Sequence, residues 1–365
     1  MRIVVCGAGY AGVTLAKRLE KALSTIEIVL VDRDPYHLIQ HELHRVIRRP
    51  DLADVITLPL ESLFDRVEVL RAEIEAVDRD ERVIRCADRE IAYDYAAVCL
   101  GAETNYYDLP GVEDHAIPLK RLEHAEAIRE RVADDSRVVV GGAGLSGVQV
   151  AGELAALDSA PSITILEQFD SVAPNFPANF RAAVTEELET RGIDVRTGTP
   201  VECATAEAVE TVDGESIEYD TFVWTGGIRG SASLNEERPA VRSDLRLDSR
   251  TFVVGDAARV VDDDGEAVPA SAQAAIREAR VVARSLVAMV KDDRDGFAPR
   301  PERFSFDSPG WLVSVGDGAV AQVGPTVLRG KAALALKASV GAGYLSSIGA
   351  VRNAVDLVNE ELGVD

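Results

Sequence analysis

The sequence predicts an α/β fold with two dinucleotide-binding units and a C-terminal α/β region. Three observations carry that expectation. Near the N-terminus an apolar run, a glycine-rich turn, a helical pattern and a second apolar run ending in an acid follow one another. The same series recurs from residue 138 with the same spacing. A third apolar run, Thr251-Phe252-Val253-Val254, delivers Gly255-Asp256.

In the first unit residues 2–6 form the strand, and Gly7-Ala8-Gly9-Tyr10-Ala11-Gly12 opens a helix through Leu19. The second strand, Ile26 to Val31, ends at Asp32. A lone G-x-G-x-x-G carries little weight. Its place between a strand and a helix, with an acid closing the next strand, marks a Rossmann-type unit. Gly7 permits a tight turn, Gly9 admits a pyrophosphate close to the backbone, and Gly12 lets helix and strand pack closely. The helix N-terminus favours the phosphates, and Asp32 accepts hydrogen bonds from ribose hydroxyls.

In the second unit Val138-Val139-Val140 leads into Gly142-Ala143-Gly144-Leu145-Ser146-Gly147. A helix to about Leu157 follows, then Ile163 to Leu166, closing at Glu167. First glycine and acid are 25 residues apart in both copies. Each unit closes with a similar strand and glycine: Tyr93-Asp94 with Val98 and Gly101, then Tyr219-Asp220 with Val223, Gly226 and Gly227. Two such units imply two dinucleotides. The Gly255-Asp256 segment tells them apart, because a carboxylate at the end of a buried strand fits a hydroxyl of a ribityl chain and so marks a flavin site. The alternative is Asp256 as the N-cap of the next helix.

The 365 residues suggest two or three domains. Asp and Glu number 62 against 39 Lys and Arg, a net charge of −23. That balance argues against nucleic acid, which needs a basic face. No apolar run is long enough to span a bilayer, and the N-terminus lacks signal-peptide character. A cytoplasmic protein, or one peripheral on the cytoplasmic face of the cell membrane, is expected. The acidic surface reads either as ordinary solvated loops or as adaptation to a very salty, halophilic cytosol, where charge repulsion is screened.

The four cysteines, Cys6, Cys86, Cys99 and Cys203, show neither a C-x-x-C nor a metal-ligand spacing. Cys6 and Cys99 lie in apolar runs and are expected to be buried.

The order of motifs over residues 1–300 resembles the two-dinucleotide-binding flavoproteins, the FAD-dependent pyridine-nucleotide reductases. The resemblance implies FAD at Gly7, Gly9, Gly12, Asp32, Arg33, Gly101, Gly255 and Asp256, and NADH at Gly142, Gly144, Gly147, Glu167 and Gly226. It also implies an FAD-binding domain from 1–108 and 236–300, an NADH-binding domain from 109–235, and a C-terminal interface or membrane-association region from 301–365. The disulfide, peroxidase and sulfide:quinone branches use redox cysteines at places where this chain has none. Pro269-Ala270-Ser271-Ala272-Gln273-Ala274-Ala275-Ile276 resembles the type II NADH:quinone dehydrogenases, with Ala272 and Gln273 against flavin and quinone; Arg277 stands where that family often has glutamine. Val148-Gln149-Val150-Ala151-Gly152-Glu153-Leu154 is similar to the same family, with Gln149 for a more usual glutamate. In the tail, Leu334 and Lys337 replace bulky tryptophans.

What the resemblance implies is NADH dehydrogenation through FAD to a quinone, without ion pumping. A soluble NADH reductase of a ferredoxin-type partner and an NADH-sensing flavoprotein are the alternatives. Glu153 either faces the flavin, orienting nicotinamide or relaying a proton, or is a helix-face carboxylate paired with an arginine. His37, His41 and His44, at helical spacing, flank the flavin side or cap a surface helix; no metal is expected.

Apolar residues from Val327 to Val358 predict one or two amphipathic helices, broken at Gly341-Ala342-Gly343. They lie on a membrane surface, pack on the FAD domain, or pair in a homodimer.

Overall fold

Strand Arg2–Cys6 is buried along most of its length and pairs in parallel with Glu27–Asp32 on one edge and Tyr95–Val98 on the other. Such a strand has no solvent face, which is why it reads as a continuous apolar run. The sheet extends to Glu68–Arg71 on one side and to Thr251–Val253 on the other, all parallel. The chain thus returns to its first sheet after completing the second. The computed structural model describes residues 1–292 and 300–362.

The second sheet repeats the plan. Arg137–Gly141 is central, flanked by Ser162–Leu166 and Thr221–Trp224, with Asp194–Arg196 and Ile117–Pro118 at the edges, all parallel. The Tyr-Asp pair common to both units has a structural task. Asp94 accepts the Arg2 backbone N–H at 2.6 Å and Asp220 that of Arg137 at 2.7 Å, fixing the start of each central strand.

The duplication goes further than expected. An antiparallel meander precedes each closing strand: Ile74–Asp78, Val83–Cys86 and Glu90–Ala92 in the first unit, and Val201–Ala204, Ala208–Thr211 and Ser216–Glu218 in the second. These strands are too short for alternation to stand out in the sequence. The two units are also joined by an antiparallel pair, Glu103–Thr104 with Ile228–Arg229.

Helices Tyr10–Ala22 and Leu145–Ala155 follow the glycine turns, and the long helix Ala272–Asp292 packs along the first of them. The C-terminal region is a three-stranded antiparallel sheet, Gly310–Val315, Gly318–Val323 and Thr326–Arg329, then helices Gly330–Ser347 and Val351–Leu362.

Three expectations are corrected here. The tail helix does not break at Gly341-Ala342-Gly343; it runs on to Ser347, and the turn comes at Gly349 with φ +91°. Gly341 serves close packing instead, since a Cβ there would lie 3.0 Å from Leu357 of the last helix. The three histidines do not share a helix: His37 is on strand Tyr36–Leu38, which pairs with Thr57–Pro59, while His41 and His44 lie on the 3₁₀ helix Gln40–Ile47. Asp256 does not cap the next helix, which begins at Ala272; it sits in an isolated 3₁₀ turn, Gly255–Ala257.

Candidate functional site

The two glycine turns share one backbone plan. Gly7 has φ +101° and Gly142 φ +99°, a region favourable only to glycine. Gly7 donates its N–H to Val31 O and Gly142 to Leu166 O, both at 2.7 Å. A Cβ on Gly12 would collide with the Gly7 carbonyl, and one on Gly147 with the Gly142 carbonyl. Gly9 and Gly144, in contrast, face open space, where a Cβ would meet nothing within 4 Å. Each turn therefore has two glycines required by packing and one that keeps the approach to the helix N-terminus clear. That is the form of a phosphate cradle.

The closing acids clamp these turns. Asp32 accepts the Ala8 N–H at 2.5 Å and the Asp34 N–H at 2.9 Å; Glu167 accepts the Ala143 N–H at 2.7 Å and the Phe169 N–H at 3.0 Å. Burial pushes the Asp32 pKa up against the pull of these two N–H groups. Arg33 lies beside Asp34 and Glu103, at 3.7 Å from each. Gly101 has φ +67° and open space at its Cβ position, and Gly226 is backed by the Trp224 ring.

At the third signal, Gly255 (φ +72°) donates its N–H to Glu278 Oε2 at 2.6 Å. The Asp256 carboxyl is raised by burial, with Lys120 and Arg238 pulling it down. Arg238 also holds the turn by donating to the carbonyls of Asp256 at 2.6 Å and Ala258 at 2.8 Å. A half-buried carboxylate flanked by two cations beside an open glycine cradle suits the ribityl hydroxyls of FAD. Glu278, Lys120 and Arg238 were not singled out by sequence, because no short motif marks residues that meet only through the fold.

A buried polar network joins the first cradle to the tail. Burial lowers the His37 pKa to about 4, so the ring is neutral. Its Nδ1–H donates to the Ala8 carbonyl at 2.7 Å, which leaves Nε2 to accept from the Tyr344 hydroxyl at 2.8 Å. Tyr10, inside the first glycine motif, is hydrogen-bonded to His41 Nδ1, whose Nε2 lies 3.3 Å from Glu42. Glu42 meets Arg45 and Lys337 at 3.0 Å each, and Glu361 meets Arg45 at 2.8 Å and Lys337 at 3.1 Å. Burial would raise the Glu42 pKa, but Lys337, His41 and Arg45 outweigh it and hold it well below the usual carboxylate range. The histidines are thus parts of this network, and among the described residues no cluster has the make-up of a metal site.

Of the two residues expected to take part in chemistry, Glu153 is buried and bonded to Arg48 Nε at 2.8 Å; Arg48 in turn reaches Asp317 at 2.7 Å. This is the arginine-paired arrangement. Its neighbour Gly152 lets the helix touch the C-terminal sheet, since a Cβ there would lie 2.5 Å from Gly316 N. Gln149, on the same helix, meets Ser314 Oγ at 3.4 Å, and His44 Nε2 meets that hydroxyl at 2.7 Å. Gln273 lies in the first turn of the long helix beside Ala272, where its Oε1 accepts from Ser308 Oγ at 3.4 Å.

All four cysteines are free, and Cys6, Cys86 and Cys99 are buried. Burial holds the thiols of Cys6 and Cys99 far above their ordinary range, so neither supplies a thiolate.

The fold is shared with known proteins. The type II NADH:quinone oxidoreductase of Staphylococcus aureus is 28% identical, over 92% of this chain and 93% of its own length. The structure of Plasmodium falciparum NDH2 in complex with NADH has a TM-score of 0.85 at 15% identity, covering 98% of this chain and 97% of that one. The sulfide:quinone oxidoreductase of Aquifex aeolicus gives 0.80 at 16% identity, covering 96% and 92%. Residues 1–279 match the family described as pyridine nucleotide-disulphide oxidoreductase. With its paired glycine cradles and its returning Gly-Asp strand, the chain belongs to the pyridine nucleotide-disulphide oxidoreductase family.

Proposed function

We infer that this chain is an FAD-dependent NADH dehydrogenase that passes reducing equivalents on to a quinone, without ion pumping. The observation that carries this reading is the pairing of two dinucleotide cradles with thiols that are buried or unpaired. A disulfide-reducing branch would need an accessible dithiol. With none, electrons leave the flavin for an external acceptor, and the relatedness to type II NADH:quinone oxidoreductases supports quinone as that acceptor. No helix among the described residues is long and apolar enough to cross a membrane.

The cofactors supply hydride and electron transfer when bound. The protein's part is positioning and charge. Gly7, Gly9 and Gly12 leave the first helix N-terminus open to the FAD pyrophosphate, and Asp32 holds that turn while facing the ribose. Gly101, Arg33 and Gly255 border the same site, and Asp256 receives ribityl hydroxyls with its charge balanced by Lys120 and Arg238. Gly142, Gly144, Gly147, Glu167 and Gly226 do the equivalent for NADH. Ala272 allows the flavin close to the long helix, and Gln273 offers its amide N–H₂ to a quinone carbonyl while Ser308 holds its oxygen. Glu153 acts through Arg48, as a positioning residue at the junction of the two units and the tail sheet.

We place the chain's domain divisions at 1–108 with 236–300, 109–235 and 301–365. The exposed tail residues Val340, Val351 and Val355 suit a peripheral site on the cytoplasmic membrane face, or the contact of a homodimer. Steady-state NADH oxidation by the purified flavoprotein, with menaquinone and a ferredoxin as competing acceptors, tests the reading. Faster turnover with menaquinone is expected. A colourless protein that cannot take up FAD, or turnover with ferredoxin alone, overturns it.

A further inference from the structure

We propose that an arginine-lined cleft on the outer side of the long helix binds a phosphate-bearing anion, at a site separate from both glycine cradles. Arg277, Arg280 and Arg284 recur at helical spacing and share one face of helix Ala272–Asp292. The segment Glu302–Ser305 forms the opposite wall, with Phe304 and Val281 buried at the base, and the cleft has a volume of about 280 Å³. Ala275 and Glu278, on another side of the same helix, meet the Gly255 turn, so the arginine face points away from the proposed flavin site.

Most of the cations in the cleft are anchored. Arg284 holds Glu302 through two bonds of 2.5 Å, and Arg303 meets Asp263 at 2.7 Å. Arg277 donates to the Asp307 carbonyl and lies 5.8 Å from the centre of the Phe306 ring. Arg280 is different: its Nε is buried and has no hydrogen-bond partner. Arg18, on helix Tyr10–Ala22, stands close enough that burial, together with Arg280 and Arg284, lowers its pKa.

Four guanidinium groups line the cleft, with Arg18 close to two of them, and the carboxylates of Glu302, Asp263 and Asp264 offset only part of this positive charge, in a chain whose net charge is −23. Gathering like charges beside an unpaired buried donor is unfavourable unless something offsets it. An anion of two or more charges would do so, and the planar fork of a guanidinium matches phosphate oxygens. A soluble oligophosphate and a phospholipid headgroup share that chemistry.

The test uses FAD-loaded protein saturated with NAD⁺, so that both cradles are filled. Inorganic pyrophosphate is titrated calorimetrically, and vesicles of phosphatidic acid in phosphatidylcholine are co-sedimented against phosphatidylcholine alone. Binding of at least one probe is expected, weakening as NaCl is raised. Arg280→Gln and, separately, Arg18→Gln should each weaken it about tenfold, with FAD content and NADH-dependent dye reduction unchanged. Binding of pyrophosphate alone identifies a soluble ligand, and binding of acidic vesicles alone a headgroup. If neither probe binds, or if both variants bind as the parent does, the proposal is wrong.

Discussion

Lys337 Nζ lies 3.0 Å from Glu42 Oε2, although 295 residues separate them. The contact is one of four in a buried ring in which Arg45 and Lys337 are each shared by Glu42 and Glu361. The ring ties both tail helices to the 3₁₀ helix that carries His41, and through His41 to Tyr10 of the first glycine motif. The tail is therefore packed into the structure around the first glycine motif.

Removing one member of such a ring leaves a buried charge unmatched. Lys337→Met is expected to lower stability by about 3–5 kcal/mol, because two carboxylates would then share Arg45 alone. Adding Glu361→Leu restores the charge balance and should recover much of the loss. Urea denaturation of the three proteins checks this; a single variant as stable as the parent would show the ring to be inconsequential.

Glu167 closes the second unit and holds the Ala143 and Phe169 N–H groups with its two oxygens. A 2′-phosphate brought to that carboxylate would be repelled, so NADH should be preferred over NADPH by about 10–200-fold in kcat/KM. Glu167→Gln should narrow the ratio. Equal use of the two nucleotides by the parent protein contradicts the assignment.

Burial raises the Glu278 carboxyl from 4.5 to about 7, with the Gly255 N–H pulling it down and Asp256 adding to the rise. The folded protein therefore keeps a proton that the unfolded chain releases. The associated stability is full below the unfolded value of 4.5 and is lost as pH climbs through about 7. For the FAD-free protein the loss should approach about 3 kcal/mol. Glu278→Gln keeps an acceptor for Gly255 without a charge to bury, so its urea midpoint should stay level where the parent's falls. A parent midpoint that rises between about pH 5 and pH 8 would refute the sign.

Turnover should not need sulfur. A variant with Cys6, Cys86, Cys99 and Cys203 all replaced by alanine is expected to keep NADH:quinone activity. Some stability should be lost at Cys6, which is fully buried. An inactive variant that is folded and carries FAD would reopen the thiol branches.

The two nucleotide units were legible in the sequence because their constraints are local. A turn at φ near +100°, a helix touching its own loop carbonyl, and an acid 25 residues on must be written in neighbouring residues, twice over. Gly12 and Gly147 are demanded by the carbonyls of Gly7 and Gly142 five residues back, and Gly7 and Gly142 by their own positive φ. Tertiary structure decided the rest. Gly341 reads as a helix breaker by itself, and only the approach of Leu357 makes it a packing glycine within a continuous helix. His37, His41 and His44 look like one helical face, yet strand pairing takes His37 out of it. Glu153 could have faced a cofactor or an arginine, and the fold supplied Arg48 from 105 residues away. Lys337 looks like a misplaced charge in an apolar helix until Glu42 and Glu361 arrive beside it. The physical reason is range: backbone geometry is imposed by adjacent residues, whereas a buried charge is tolerated only by partners that distant segments bring to it.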